Sequence, residues 1–316
     1  MKLPVYVVDA FTDKLFGGNP AAVCPLEHWL GDNIMQHLAA ENNLSETVFF
    51  VKNDDHYDIR WFTPATEVKL CGHATLASAH IMYTELGYTK DEIIFDSLSG
   101  ILKVKRCDDK IQLDFPSNVP EAIDEIPYGL FEGLHIENAE VFKTAFDFMV
   151  VLPSQSDIES LSPDFKTLAK VGGRGVIATA KGDSVDFVSR CFFPQSGIDE
   201  DPVTGSAHTS TVPYWAEQLG KTKLKAIQLS KRRGYLDCEL KGDRVLMRGN
   251  AVTYMKGEYY LLFTIFRSQI YDLHFLLNRI QNVQVSDTTE VSFRQYSRLH
   301  KNPYSFSNFQ ISIFSN

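Results

Sequence analysis

The stretch 60–87, RWFTPATEVKLCGHATLASAHIMYTELG, decides the fold because it returns as 190–220, RCFFPQSGIDEDPVTGSAHTSTVPYWAEQLG. Arg60, Phe62, Pro64, Gly72, Ala74 and Gly87 fall opposite Arg190, Phe192, Pro194, Gly205, Ala207 and Gly220, with three extra residues in the second loop. Each copy reads as a strand, a polar loop and a helix opened by glycine and closed by glycine. A strand–loop–helix unit present twice implies two similar domains facing each other across a pseudo-two-fold axis. A ligand would then sit between them, where the two helix starts converge.

Outward from the first copy, LPVYVVDAF, SETVFFV and YDIRWFTP read as strands, and LGDNIMQHLAAENN as a helix with Asp32 at its N-cap. EIIFDSLSG, ILKVKRC and KIQLDFP complete a first domain, 1–118. PSNVPEAIDEIPYG (116–129) is the expected linker. A second domain, 119–262, repeats the plan, with strands in AEVFKTAFDFMVVLP, GVIATA and VDFVSRCFFP, a short helix in SPDFKTLAKV, and strands again after Gly220. Pro213 inside the second helix predicts a local distortion, since proline has no N–H to donate. The remainder, 263–316, is rich in Asn, Ser, Gln and Phe without clean periodicity. It is expected to be a loosely ordered appendix.

Composition narrows the function. In 316 residues, 44% are apolar and 22% charged, as in a globular protein. Thirty-one basic against 40 acidic residues leave a net charge of −9, which argues against nucleic acid or anionic membrane as partner. A small anion remains possible, because a pocket can be locally positive. The start, MKLPVYVVDAF, shows no secretory leader, and no apolar run has the roughly 20 residues of a spanning helix. Five cysteines (Cys24, Cys71, Cys107, Cys191, Cys238) at irregular spacing form no CxxC pair, so neither a disulfide framework nor a zinc site is expected. A reducing, cytoplasmic compartment follows.

The chemistry rests on a few side chains. Gly72 and Gly205 let a ligand approach the unpaired N–H groups of the two helix starts, where a carboxylate or phosphate is favoured. Taken alone, each loop reads more plainly as a cap, with Ser206 as N-cap and Gly72 as a turn residue, and only their pairing in a repeat points to a site. Glu46 heads an apolar strand; half-buried it would suit proton transfer, although an exposed strand-edge glutamate is the plainer reading. His73 is a capping donor, a surface residue or an acid/base, and Asp201 a turn residue or an acid in the cleft. Cys71, just before a helix start, could be a thiolate. A two-thiol racemase would need a second cysteine at the other helix, where Thr204 stands instead. There is no G-x-S-x-G elbow, P-loop or H-E-x-x-H, and GGRG (172–175) lacks the last glycine of a dinucleotide fingerprint.

GGNPAAV (17–23), NNLSETVFF (42–50), RWFTPATEVKLCGHATLASAH (60–80) and DEDPVTGSAH (199–208) closely resemble the phenazine-biosynthesis PhzF-like family, which has a eukaryotic branch described as MAWD-binding-protein-like. The resemblance runs from Met1 to about Tyr260. It implies a diaminopimelate epimerase-like α+β fold: two similar domains, each a mixed sheet rolled around a central helix. It further implies an isomerase working without metal or organic cofactor, and a homodimer. Glu46 matches the family's catalytic glutamate; His73 and Asp201 match residues that hold substrate and assist proton movement; Ser206 with Gly72 and Gly205 would bind the substrate carboxylate. A non-catalytic binding or scaffold protein of the same fold is the alternative.

Overall fold

The computed structural model describes residues 1–261, so the appendix expected at 263–316 lies outside the described residues. Among the described residues the first half contains β1 (Lys2–Ala10), β2 (Asn19–Leu26), α1 (Asp32–Asn42), β3 (Glu46–Asn53), β4 (His56–Phe62), β5 (Glu67–Val68), α2 (Gly72–Thr84), β6 (Glu92–Ser97), β7 (Gly100–Cys107) and β8 (Lys110–Pro116). Then follow β9 (Glu121–Ala122), α3 (Leu130–Leu134), β10 (Glu140–Lys143), β11 (Phe148–Val151), α4 (Gln155–Ser160), α5 (Phe165–Leu168), β12 (Val176–Lys181) and β13 (Phe187–Phe193). β14 (Ile198–Asp201), α6 (Gly205–Leu219), β15 (Lys223–Gln228), β16 (Gly234–Lys241), β17 (Arg244–Gly249) and β18 (Ala251–Tyr260) complete them.

Strand patterning follows from which faces are covered. In β8 the residues Ile111, Leu113 and Phe115 are buried while Gln112 and Asp114 alternate outward, the period of a sheet with one face on a core. In β3 the run Thr47–Val51 is buried throughout, because that strand is covered on both faces and pairs on both sides. α2 is apolar or small nearly all round, as a helix enclosed by strands must be.

Pairing runs in one continuous order, β18–β1–β2–β3–β4–β6–β7–β8 and then β17–β16–β15–β13–β12–β11–β10–β9. β5 and β14 attach to β4 and β13. The order is palindromic about the antiparallel β8–β17 ladder, so the repeat in the sequence is a repeat in topology. Each half rolls its strands around one helix, α2 or α6, giving the expected α+β architecture. The strand that ends the expected 119–262 domain, β18, pairs along β1 from Lys2 to Ala10.

Both copies share one tether. Arg60 on β4 makes a bidentate pair with Glu67 on β5, and Arg190 on β13 makes the same pair with Glu200 on β14. Each guanidinium also lies over the ring of the phenylalanine two residues on, Phe62 at 5.2 Å and Phe192 at 5.1 Å. These pairs hold the loops that lead into α2 and α6.

Some boundaries differ from expectation. α2 stops at Thr84, and Gly87 serves the turn beyond it, with φ +67° and Tyr88 N–H bonded to Met82 C=O. Gly31, not Asp32, is the N-cap of α1. The linker carries β9, and α3 and α4 are too short to show a period in the sequence. Pro213 lies well inside α6, and the Thr209 carbonyl it leaves free accepts the Asn118 N–H at 3.0 Å. No described helix is long and apolar enough to cross a membrane.

Replacing Arg190 by Met strips a half-buried Glu200 of its partner and two α4-end carbonyls of their donor. Urea unfolding should show a loss of about 2–3 kcal/mol. An unchanged midpoint would mean that the tether is incidental.

Candidate active site

The site forms where the two helix starts meet. A Cβ placed on Gly72 would lie 3.4 Å from the Gly205 Cα, and one on Gly205 would lie 3.4 Å from the Gly72 Cα. The N-cap positions are Cys71 and Thr204, and neither side chain caps its helix. First-turn N–H groups of both helices are therefore left for a ligand. The cap reading of Ser206 is corrected here: it is the second residue of α6, and its Oγ accepts from Arg174 Nη2 at 2.9 Å.

Glu46 is the first residue of β3, and its side chain is only 12% exposed. The exposed-edge reading fails because β3 lies between β2 and β4 and has no free edge there. Oε2 lies 3.0 Å from His73 Nε2. That approach is off the hydrogen-bond direction, so Oε2 is a buried acceptor with no aligned donor among the described residues. His73 is buried as the second residue of α2. Burial alone would favour its neutral ring, but Cys71 and Glu46 outweigh this and push its pKa well above the ordinary histidine value. The Glu46 carboxylate is the charge that matters, since burial pushes the Cys71 thiol up to about 11 and leaves it neutral at pH 7.

Asn19, missed in the sequence although it stands within GGNPAAV, joins the two halves. Its Nδ2 donates to Asp201 Oδ1 (2.8 Å) and Val203 C=O (3.0 Å) and lies 3.1 Å from His73 Nδ1. Two oxygen acceptors fix the amide orientation, so the same NH₂ group packs against His73 Nδ1. Gly18 makes this possible: with φ +56°, any Cβ there would lie 2.0 Å from Ala10 C=O.

Asp201, at the end of β14, accepts from Thr204 Oγ1 as well as Asn19. Burial raises its pKa to about 6, against the lowering effect of His73 and these hydrogen bonds. Gln228 holds the loop, taking the Thr204 N–H on Oε1 (2.8 Å) and donating Nε2 to the Asp201 carbonyl (2.7 Å). Gln228 carries no sequence signal, and Thr204, though inside DEDPVTGSAH, reads only as the counterpart of Cys71. The structure thus brings Glu46 beside His73, links His73 through Asn19 to Asp201, and sets Gly72 against Gly205; Ser206 is on the first turn of α6.

Glu46, Cys71 and His73 each offer a ligand atom within 4.8 Å of the others, the spacing of a soft divalent cation. A groove of about 510 Å³ lined by His80, Tyr83, Arg106 and Lys110 opens at the other end of α2 and contains none of Glu46, His73, Asp201 and Ser206.

The model of the PhzC-PhzF family, phenazine biosynthesis-like protein, matches residues 8–257. The chain belongs to this family. An uncharacterized isomerase of Pseudomonas aeruginosa is 50% identical over 261 residues, covering 83% of this chain and 100% of that one. The PhzC-PhzF match extends to eukaryotes: phenazine biosynthesis-like domain-containing protein 2 of Mus musculus is 41% identical, over 81% of this chain and 99% of its own length. A crystal structure of a PhzF-family protein from Enterococcus faecalis superposes with a TM-score of 0.80 at 46% identity, covering 83% of this chain and all of that one.

Asp201 sets a pH signature. Its folded-state pKa, about 6, exceeds the ordinary 3.8, so the folded protein holds this proton longer than the unfolded chain. Wild-type stability should accordingly fall as pH rises from about 4 to 6 relative to Asp201→Asn, which has no proton to lose. The difference in melting temperature, variant minus wild type, should rise across that window. A flat difference would place the Asp201 pKa at its ordinary value.

Proposed function

We propose that this protein is a cofactor-independent isomerase or epimerase that moves a proton on a small carboxylate metabolite, with Glu46 as general acid/base. The observation that carries the reading is the buried, donor-free Oε2 of Glu46, facing His73 where two uncapped helix starts meet. The substrate carboxylate binds the first-turn N–H groups of Gly72 and Gly205, and Ser206 turns its hydroxyl to the same ligand. Anion binding there neutralises part of the charge that accumulates when the neighbouring carbon loses its proton. Glu46 takes the proton from one carbon and returns it to another. His73, held by Asn19, orients the carboxylate, and Asp201, with a pKa about 6, supplies or receives a proton on the opposite side. The isomerase names of the bacterial relatives support this class of reaction.

A two-thiol racemase is disfavoured by the same geometry, since Cys71 is a neutral buried thiol and Thr204 occupies its counterpart position. A non-catalytic binding or scaffold protein of the same fold would retain no metabolite on purification and would bind its partner unchanged after Glu46→Gln.

Candidate carboxylates incubated in D₂O should take up deuterium next to the acidifying group, as read by mass spectrometry. Glu46→Gln should slow exchange about 10²–10⁴-fold, while Cys71→Ala and added chelator leave it within a few-fold of wild type. Full exchange by Glu46→Gln would remove the assigned role, and loss on chelation would instead favour a metal at Glu46, Cys71 and His73.

A further inference from the structure

The two halves share a scaffold but not their chemistry. Thr47 pairs with Phe62 on β4, and Val176 pairs with Phe192 on β13, so the repeat sets Glu46 opposite Gly175 and Ser45 opposite Arg174. By the same repeat His73 stands opposite Ser206. A second acid cannot occupy position 175, because a Cβ there would lie 2.2 Å from Phe193 Cδ1 and 2.4 Å from Phe192 C=O. Where the first half places a carboxylate against an imidazole, the second places a guanidinium against a hydroxyl.

That guanidinium is held rigidly. Nε and Nη2 of Arg174 bind the carboxylate of Asp147, which is itself buried, and Nη2 also reaches Ser206 Oγ. Phe146 and Phe193 flank it, with ring centres 5.4 and 5.1 Å from Cζ. Nη1 makes no hydrogen bond among the described residues, and the side chain remains 38% exposed. Ser206 directly follows Gly205 on the first turn of α6, which places this corner beside the paired helix starts. Because Ser206 Oγ accepts from Arg174, its own hydrogen is free to donate to a ligand.

We propose that Arg174 and Ser206 form a second anion subsite, so that the substrate is a compact dicarboxylate spanning the two halves. One carboxylate lies over the paired helix starts beside the carbon that Glu46 deprotonates. The other meets Nη1 of Arg174 and the Ser206 hydroxyl, whose planar and directional donors match a carboxylate. This rests on the proton-transfer reading of the cleft only for the placement of the reacting carbon.

Calorimetric titration at low salt tests it, with malonate and succinate compared against acetate and propionate. The wild type should bind the dicarboxylates about tenfold more tightly, the scale of one charge-assisted contact. Arg174→Gln paired with Asp147→Asn, which leaves no lone buried charge, should abolish that preference, and Arg174→Lys should retain part of it. Ser206→Ala keeps the Arg174–Asp147 pair and should weaken the preference, which decides the matter if the double variant does not fold. Glu46→Gln should keep the preference even where it stops exchange. Equal binding of both classes, no binding of either, or a preference that survives loss of Arg174 overturns the subsite. Such a result would leave the role of Glu46 untouched if exchange still depends on it.

Discussion

The close approach of Gly72 and Gly205 is the constraint on which the rest of this structure depends. Two helix N-termini, each with positive partial charge and open N–H groups, point into one space. Left to themselves these poles repel. The β8–β17 ladder and the two Arg–Glu tethers hold them together from outside. Glycine at both contact points keeps side chains out, so the two helix starts face each other across open backbone.

The scaffold is duplicated faithfully while the working residues have diverged. Arg60 with Glu67 and Arg190 with Glu200 perform the same mechanical task, down to the phenylalanine beneath each guanidinium. Around the helix starts the pairs differ: Cys71 against Thr204, His73 against Ser206, Glu46 against Gly175. One half keeps a buried carboxylate and an imidazole, and the other keeps a guanidinium and a hydroxyl.

Asn19 makes the halves a single site. It is fully buried, and its one NH₂ group lies within reach of a histidine of the first helix and an aspartate before the second. Such an amide cannot be exchanged for a hydroxyl or carboxylate without leaving an acceptor unpaired or setting two carboxylates face to face. The strict need for glycine at position 18 follows from placing it there.

Much of this was legible in the chain. The repeat at 60–87 and 190–220 specified two strand–loop–helix units, the period of each segment specified strands and helices, and the four motifs marked Glu46, His73, Asp201 and the two glycines. Burial was not legible. Glu46 reads as an exposed strand head until β2 is seen to pair beside it, some 25 residues away in the chain. Nor could sequence show that Ser206 bonds Arg174 rather than capping its helix, or that Asn19, Thr204 and Gln228 hold the loop, because those roles are defined by partners distant in the chain. β18 makes the same point at the level of the fold, since a strand at 251–260 finds its partner at residues 2–10. Sequence by itself determined the local elements and the kinds of chemistry available, since period and residue type are local properties. Which carboxylate is buried, which donor is left free and which halves share a strand were decided only by tertiary pairing, because hydrogen bonds and desolvation depend on what packs alongside.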